Sequence, residues 1–265
     1  MDSAMNDPAD ARRKPALFLG HGSPMNAIEE NEFSRAWSSA GDTVPRPGAI
    51  LCISAHWETV GTRVTAMERP RTIHDFYGFP RTLFEMQYPA PGSPALARRV
   101  EEIVSRTRVR PDVEWGLDHG AWSVLSRMFP RADIPVVQLS LDRAGEPAFH
   151  YALGKDLSAL RDEGVLIVGS GNVVHNLGEM VWKDVAYDWA VEFDERMRQW
   201  ILAGDHEAIL RYEALGGIAR RAVPTNEHFL PLLYVLALQE KGEEIGFFAE
   251  KVTLGSMSMR SVRVG

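Results

Sequence analysis

Six of the eight histidines in this 265-residue chain fall in short polar or glycine-rich clusters: Gly20-His21-Gly22-Ser23-Pro24, Ser54-Ala55-His56-Trp57, Ile73-His74-Asp75, Leu117-Asp118-His119-Gly120, Val174-His175-Asn176 and Asn226-Glu227-His228-Phe229. Neutral imidazole is the commonest metal ligand and also exchanges protons near neutral pH. His21 and His56 follow apolar, strand-like runs at 16–19 and 49–53, and His175 follows a third at 165–168 after a Gly-Ser-Gly turn. In an open α/β sheet ligands bind at the carboxyl ends of the strands, so the economical reading is a mononuclear metal enzyme.

Each cluster also has a plainer reading. The glycines around His21 permit unusual backbone angles and a close approach to a bound atom, although a lone histidine in such a turn is more often structural. His56, beside Trp57 and Glu58, could equally be a core histidine bonded to backbone, and it is the joint occurrence that favours function. Gly169-Ser170-Gly171-Asn172 lacks the later glycine of a dinucleotide fingerprint and the Lys-Ser/Thr of a P-loop, so it reads as a turn delivering His175. His228 stands just before an apolar run, 230–238, with Pro231 acceptable only in a helix's first turn. Glu227 is a competing ligand; neighbours in an extended segment point opposite ways, so one of the pair is expected to face a metal. His119 follows Asp118, a plausible helix cap, and both structural and functional readings stand. His74 is a candidate substrate contact, whereas His150 and His206, in charged helical contexts, are expected at the surface.

The elements that must position these residues follow from short β-branched or apolar runs bounded by Gly and Pro. Strands are expected at 16–19, 49–54, 63–66, 136–140, 165–169, 246–249 and 258–264, and helices at 29–39, 94–106, 120–128, 146–163, 188–204, 206–212 and 230–241. This alternation predicts a single α/β domain over 15–265, with a mostly parallel central sheet, helices on both faces and the metal site at the strand carboxyl ends. Residues 1–14 read as a disordered tail. The stretch 68–92, with Phe76, Tyr77, Phe79, Phe84 and Tyr88, is long and irregular for a connection; it is either an active-site wall or a loop anchored to the core by its aromatics. A net charge of −7 argues against nucleic acid or an anionic membrane as partner. The single cysteine, Cys52, lies in an apolar run and reads as a buried hydrophobe in a reducing cytoplasm. No apolar stretch approaches the ~18 residues that suggest a membrane span.

Taken with 73–80, Trp115-Gly116-Leu117-Asp118-His119-Gly120-Ala121-Trp122, Val137-Gln138-Leu139-Ser140, 169–177 and Glu227-His228-Phe229-Leu230-Pro231-Leu232, these clusters make the chain resemble the class III extradiol ring-cleavage dioxygenases, in the single-domain branch that includes DOPA 4,5-dioxygenases. The resemblance runs from Pro15 to the C-terminus. It implies that His21, His56 and His228 are metal ligands, that His175 is the acid/base histidine close to the metal or a further ligand, and that His119 acts at the substrate. It also implies a catechol and O2 as substrates, with Fe(II) as the working metal and Zn(II) as another occupant. The chain departs from the two-His, one-carboxylate triad of better-known members, since the third position falls on Glu227-His228. Two alternatives stay open: a zinc-dependent hydrolase, and a non-catalytic metal-binding protein on the same fold. His74, Tyr77 and Arg81 are the expected substrate-binding residues, Tyr77 by enclosing a planar ring and Arg81, like Arg71 and Arg260, by pairing with a carboxylate. Oligomeric state is not readable.

Overall fold

A computed structural model describes residues 13–265, so most of the expected N-terminal tail lies outside the described residues. Arg13 and Lys14, assigned to that tail, are instead packed: Arg13 pairs with Asp162 at 2.5 Å and Glu240 at 2.6 Å, and Lys14 is buried.

The strands are β1 (Ala16–Gly20), β2 (Ala49–Thr59), β3 (Arg63–Thr65), β4 (Arg110–Asp112), β5 (Val136–Asp142), β6 (Val165–Gly171), β7 (Ile245–Phe248), β8 (Val252–Thr253), β9 (Met257–Ser258) and β10 (Ser261–Val264). Eight of them form one sheet in the order β4-β3-β5-β2-β6-β1-β10-β7, while β8 and β9 make a separate ribbon. The central four, β5, β2, β6 and β1, are mutually parallel, and β3 and β10 join them antiparallel. All four carboxyl ends therefore share one edge. The expected strand at 258–264 is two pieces, because the chain turns at Met259-Arg260 between β9 and β10.

Helices cover both faces, as the alternation predicts: α1 (Glu32–Thr43), α2 (Arg81–Phe84), α3 (Pro94–Ile103), α4 (His119–Met128), α5 (Pro147–Asp156), α6 (Ala159–Asp162), α7 (Asp188–Ala203), α8 (His206–Leu210), α9 (Gly217–Ala222) and α10 (Leu230–Ala237). Successive strand side chains point to opposite faces. Leu17, Ile50, Cys52 and Val168 accordingly pack with Trp37 of α1 and Trp122 of α4, while Phe18, Leu51, Ile53 and Ile167 pack with α3, α5, α7 and α10. None of the described helices is long and apolar enough to cross a membrane.

Local chemistry sets the boundaries. Asn31 Oδ1 accepts from the Phe33 and Ser34 amides and Ser34 Oγ accepts from the Asn31 amide, a reciprocal cap that starts α1 at Glu32 rather than at 29. Asp118 caps α4 by accepting from the Ala121 amide, and Pro94, Pro147 and Pro231 occupy first turns where no amide is needed. The helix expected over 146–163 breaks after Asp156 into α5 and α6.

All eight residues of α10 are buried, and each fully buried leucine there contributes about 1.5–3 kcal/mol. Its N-terminal end lies directly on β6. A Cβ on Gly169 would stand 2.5 Å from the Pro231 carbonyl oxygen, and one on Gly171 2.1 Å from that of His228. The Asn172 amide donates to the same His228 carbonyl at 2.8 Å. This close approach puts residue 228 at the carboxyl end of β6. His150 corrects the sequence reading: it is fully buried, with Nδ1 3.0 Å from Tyr234 Oη of α10. His206 is likewise not free, its Nδ1 lying 2.8 Å from Tyr151 Oη.

Gly171→Ala should cost about 1–3 kcal/mol through overpacking, about 2–4 °C of melting temperature per kcal/mol. Gly48→Ala, whose new carbon would meet only a carbonyl at 3.9 Å, should melt like the wild type. Burial lowers the His150 pKa from 6.5 to about 4, so the unfolded chain takes up its proton first. The stabilisation is complete above pH 6.5 and is lost as pH falls toward about 4, of order 3 kcal/mol in all. Urea unfolding at about pH 7.5 and about pH 5 should show a smaller acid-side loss in His150→Gln than in the wild type.

Candidate active site

The shared edge of the parallel strands brings together histidines that are far apart in the chain. His21 follows β1 and continues its pairing, its amide donating to the Gly171 carbonyl at 3.1 Å. His56 lies where β2 shifts register against β5, between Ile53 and Glu58, the kind of irregularity that re-aims a side chain beside an active site. His228 is delivered by the entry to α10. His21 Nε2 and His56 Nε2 are 3.1 Å apart, and one nitrogen from each of His21, His56 and His228 lies within 4.8 Å of the others.

An oxygen stands behind each ring, hydrogen-bonded to His21 and His228 and at longer range from His56, and biases which nitrogen faces this point. Ser170 Oγ spends its proton on the Gly120 carbonyl at 2.6 Å, so at 3.0 Å it accepts from His21 Nδ1–H. Glu227 Oε1 accepts from His228 Nδ1 at 2.9 Å. Asp75 Oδ2 lies 3.4 Å from His56 Nδ1. The Nε2 atoms of His21 and His228 are thereby left without protons, and His228 Nε2 is buried with no hydrogen-bond partner. Two imidazole nitrogens at 3.1 Å are held either by a proton on one of them or by a cation that both ligate. Imidazole nitrogens about 2.0–2.1 Å from one metal, at right-angled to tetrahedral spacing, stand about 2.9–3.4 Å apart. The donor set fits a metal ion.

Burial, and then the mutual proximity of the imidazoles, pushes His21, His56 and His228 well below the usual histidine range. They are therefore neutral at physiological pH, the form that coordinates. Burial alone would raise Asp75, but contact with His119 and His56 holds it down at about 2.

Two further histidines line the same space. His175 stacks on His228 with ring centres 3.4 Å apart, and burial followed by the proximity of His119 lowers its pKa to about 4. His119 lies 3.9 Å from the His56 ring, at the start of α4. It is fixed there by Asp118, which takes its expected capping role by accepting from the Ala121 amide and is itself held by Ser54 Oγ at 2.6 Å and Gln138 Nε2 at 2.8 Å. Glu227, the competing ligand of the sequence reading, sits behind His228, and one of its oxygens, with a nitrogen of His175 and one of His228, forms a second group of potential ligand atoms within 4.8 Å of one another.

The histidines floor a cavity of about 350 Å³ walled by Phe76, Tyr77, Phe79, Leu177, Met180, Trp182 and Leu254. Tyr77, 92% exposed, and Trp182, 67% exposed, stand at its mouth. The stretch 68–92 thus serves both readings offered for it: Phe76 and Phe79 line the cavity and also pack on the core.

The other expected substrate contacts are elsewhere. His74 does not line the cavity; its Nε2 is 2.9 Å from the Met86 carbonyl oxygen, and the ring packs against Trp122. Arg81 points to solvent and pairs with Glu85 at 2.7 Å. Arg71 donates to the Trp115 carbonyl, and Arg260 is buried against Asp194 at 2.6 Å. Among the described residues the cavity lining holds no Arg or Lys. Sequence reasoning passed over Asp75 and Ser170, which stand inside the quoted motifs, and the wall formed by Leu177, Met180 and Trp182, for which no local signal exists.

Residues 15–262 match the family model of the catalytic LigB subunit of aromatic ring-opening dioxygenase. The chain is 50% identical over 260 residues to a 4,5-DOPA dioxygenase extradiol of Escherichia coli (strain K12), covering 96% of this chain and 95% of that one. It is 40% identical over 227 residues to the 4,5-DOPA dioxygenase extradiol of Beta vulgaris, covering 83% and 84%. Among solved structures, the crystal structure of an uncharacterized protein from Escherichia coli K12 superposes with a TM-score of 0.84 at 45% identity, covering 96% of this chain and 100% of that one. On this match along almost all of its length, the chain belongs to the LigB family, the class III extradiol ring-opening dioxygenases.

Proposed function

We propose that the protein opens the ring of a catechol with O2, at a non-haem metal held by His21, His56 and His228. The observation that carries this reading is the set of three neutral imidazoles, His21 and His228 buried and His56 partly so, with one nitrogen of each within 4.8 Å of the others, on the floor of an aromatic-walled cavity. Relatives named 4,5-DOPA dioxygenase extradiol support a DOPA-like catechol as the substrate class. When bound, Fe(II) supplies open coordination positions and redox capacity to catechol and O2, whereas Zn(II), being d10, takes the same ligands without the redox step.

The chain's own residues do the remaining work. Phe76, Phe79 and Trp182 hold the planar ring between apolar surfaces and exclude water, and Tyr77 closes over the outer end. His175, neutral because its pKa is near 4, is free to accept a proton from a catechol hydroxyl and return it as the ring opens. His119, anchored through Asp75 and α4, orients a ring oxygen. With no Arg or Lys among the described lining residues, the ring substituent extends toward the mouth between Tyr77 and Trp182. A free, buried Cys52 accords with placement in the cytoplasm.

Anaerobic reconstitution with Fe(II), followed by air and a panel of catechols, should yield a yellow ring-opened product, and protein loaded with Zn(II) should yield none. Turnover by the Zn(II) form without O2 would establish the hydrolase reading instead. His175→Ala should keep its metal and lose about 10²–10⁴-fold in turnover, while His56→Ala should lose the metal, both read by metal content alongside kcat. Equal metal loss in the two variants would make His175 a fourth ligand.

A further inference from the structure

We propose that Asp75 is a positioning residue that sets the orientation of His56 and His119 together and ties both to the loop walling the substrate cavity. The proposal rests on the reading of His21, His56 and His228 as metal ligands. Ser170 and Glu227 each serve one imidazole, whereas Asp75 serves two. Its Oδ1 accepts the His119 backbone amide at 2.9 Å and lies 3.0 Å from His119 Nδ1. Its Oδ2 lies 3.4 Å from His56 Nδ1. Neither ring contact is a formed hydrogen bond, since His119 Nδ1 is buried without a hydrogen-bond partner at 3.0 Å and His56 Nδ1 stands off at 3.4 Å, so the carboxylate acts here through charge and direction.

The chain reaches Asp75 from a fixed base. The Ile73 amide donates to the Leu117 carbonyl at 2.7 Å, the Leu117 amide to the Arg71 carbonyl at 2.8 Å, and Trp122 Nε1 to the Ile73 carbonyl at 2.7 Å. The next residue after Asp75 is Phe76, whose ring meets His119 edge-on at 5.5 Å. The carboxylate therefore stands between a stitched base and the aromatic wall, and a shift of the wall carries the orientation of a ligand with it. Metal affinity and substrate fit are linked through this one side chain.

Asparagine tests this because it keeps the shape and removes one acceptor. Its single carbonyl oxygen can face only one of the two Nδ1–H groups. The other ring then meets an amide NH2, and relief requires moving its proton to Nε2, where it blocks the metal or the cavity. A carboxylate that merely glued the loop to α4 would lose loop stability on this change and leave the metal untouched.

The experiment uses the full chain, stripped of metal, with Zn(II) as a redox-silent probe in competition with a chromogenic chelator. Asp75→Asn should bind Zn(II) about 10–100-fold more weakly than the wild type, with a melting temperature close to that of the wild type. His119→Ala should bind Zn(II) nearly as well as the wild type, and Asp75→Asn in that background should show the same loss as alone, because the residue-119 backbone amide still holds the carbonyl oxygen and leaves the NH2 facing His56. In Fe(II)-loaded Asp75→Asn, KM for a catechol should rise as kcat falls. If Asp75→Asn does not fold, Asp75→Glu replaces it: the charge stays, both oxygens move, and a weakening of about 3–10-fold is expected. Wild-type Zn(II) affinity in the variant used would overturn this proposal alone. A wild-type protein without Zn(II) affinity would overturn the ligand reading and this proposal together. Neither measurement needs catechol turnover.

Discussion

A neutral imidazole has two nitrogens and one proton, and the position of that proton decides which nitrogen can coordinate. The architecture of this site follows from that constraint. Each of His21, His56 and His228 has an oxygen behind Nδ1, supplied by Ser170, Asp75 and Glu227; the hydrogen bonds to His21 and His228 turn Nε2 forward, and the carboxylate charge favours the same orientation in His56. Burial does the complementary part by removing the charged form. Without the acceptors the rings would be neutral but free to present either nitrogen; without burial they would be oriented but open to protonation.

The supporting oxygens come from different parts of the fold. Ser170 belongs to β6, Glu227 to the entry of α10, and Asp75 to the loop after β3. Their convergence depends on backbone approaches that side chains would prevent. Gly171 admits the His228 carbonyl, and Gly120, at the start of α4, lies so near Ser54 Oγ and the His56 ring that a Cβ would stand 2.4 Å and 2.8 Å from them. The glycines in the histidine motifs thus act chiefly as spacers that let neighbouring elements close on the site.

The features legible in the sequence were those encoded locally. Apolar runs ending in glycine and histidine mark β1, β2 and β6, and the Pro231 rule places the start of α10 correctly. Helix starts drifted where a cap outweighed periodicity, as Asn31 does for α1. His150 was misread because its partner, Tyr234, lies 84 residues away, and a charged sequence neighbourhood says nothing about the face a helix buries. Arg81 and His74 were chosen for their chemistry, yet direction decides. One is drawn to Glu85 on its own helix turn and the other to a carbonyl inside the loop. Asp75 was visible as a residue but not as an organiser, since that role exists only when β2 and α4 are side by side.

The three imidazoles are contributed from near the start of the chain, from the second strand and from just before the last helix, so no fragment contains the set. An unfolded chain offers a metal only scattered, solvated donors, and the folded one offers all three at once. A bound ion would therefore act as a non-covalent cross-link between the two ends of the polypeptide. Its binding free energy would add to the stability of the whole domain rather than of one loop. Loss of the metal would then weaken the attachment of α10 to β1 and β2 and be felt throughout the core.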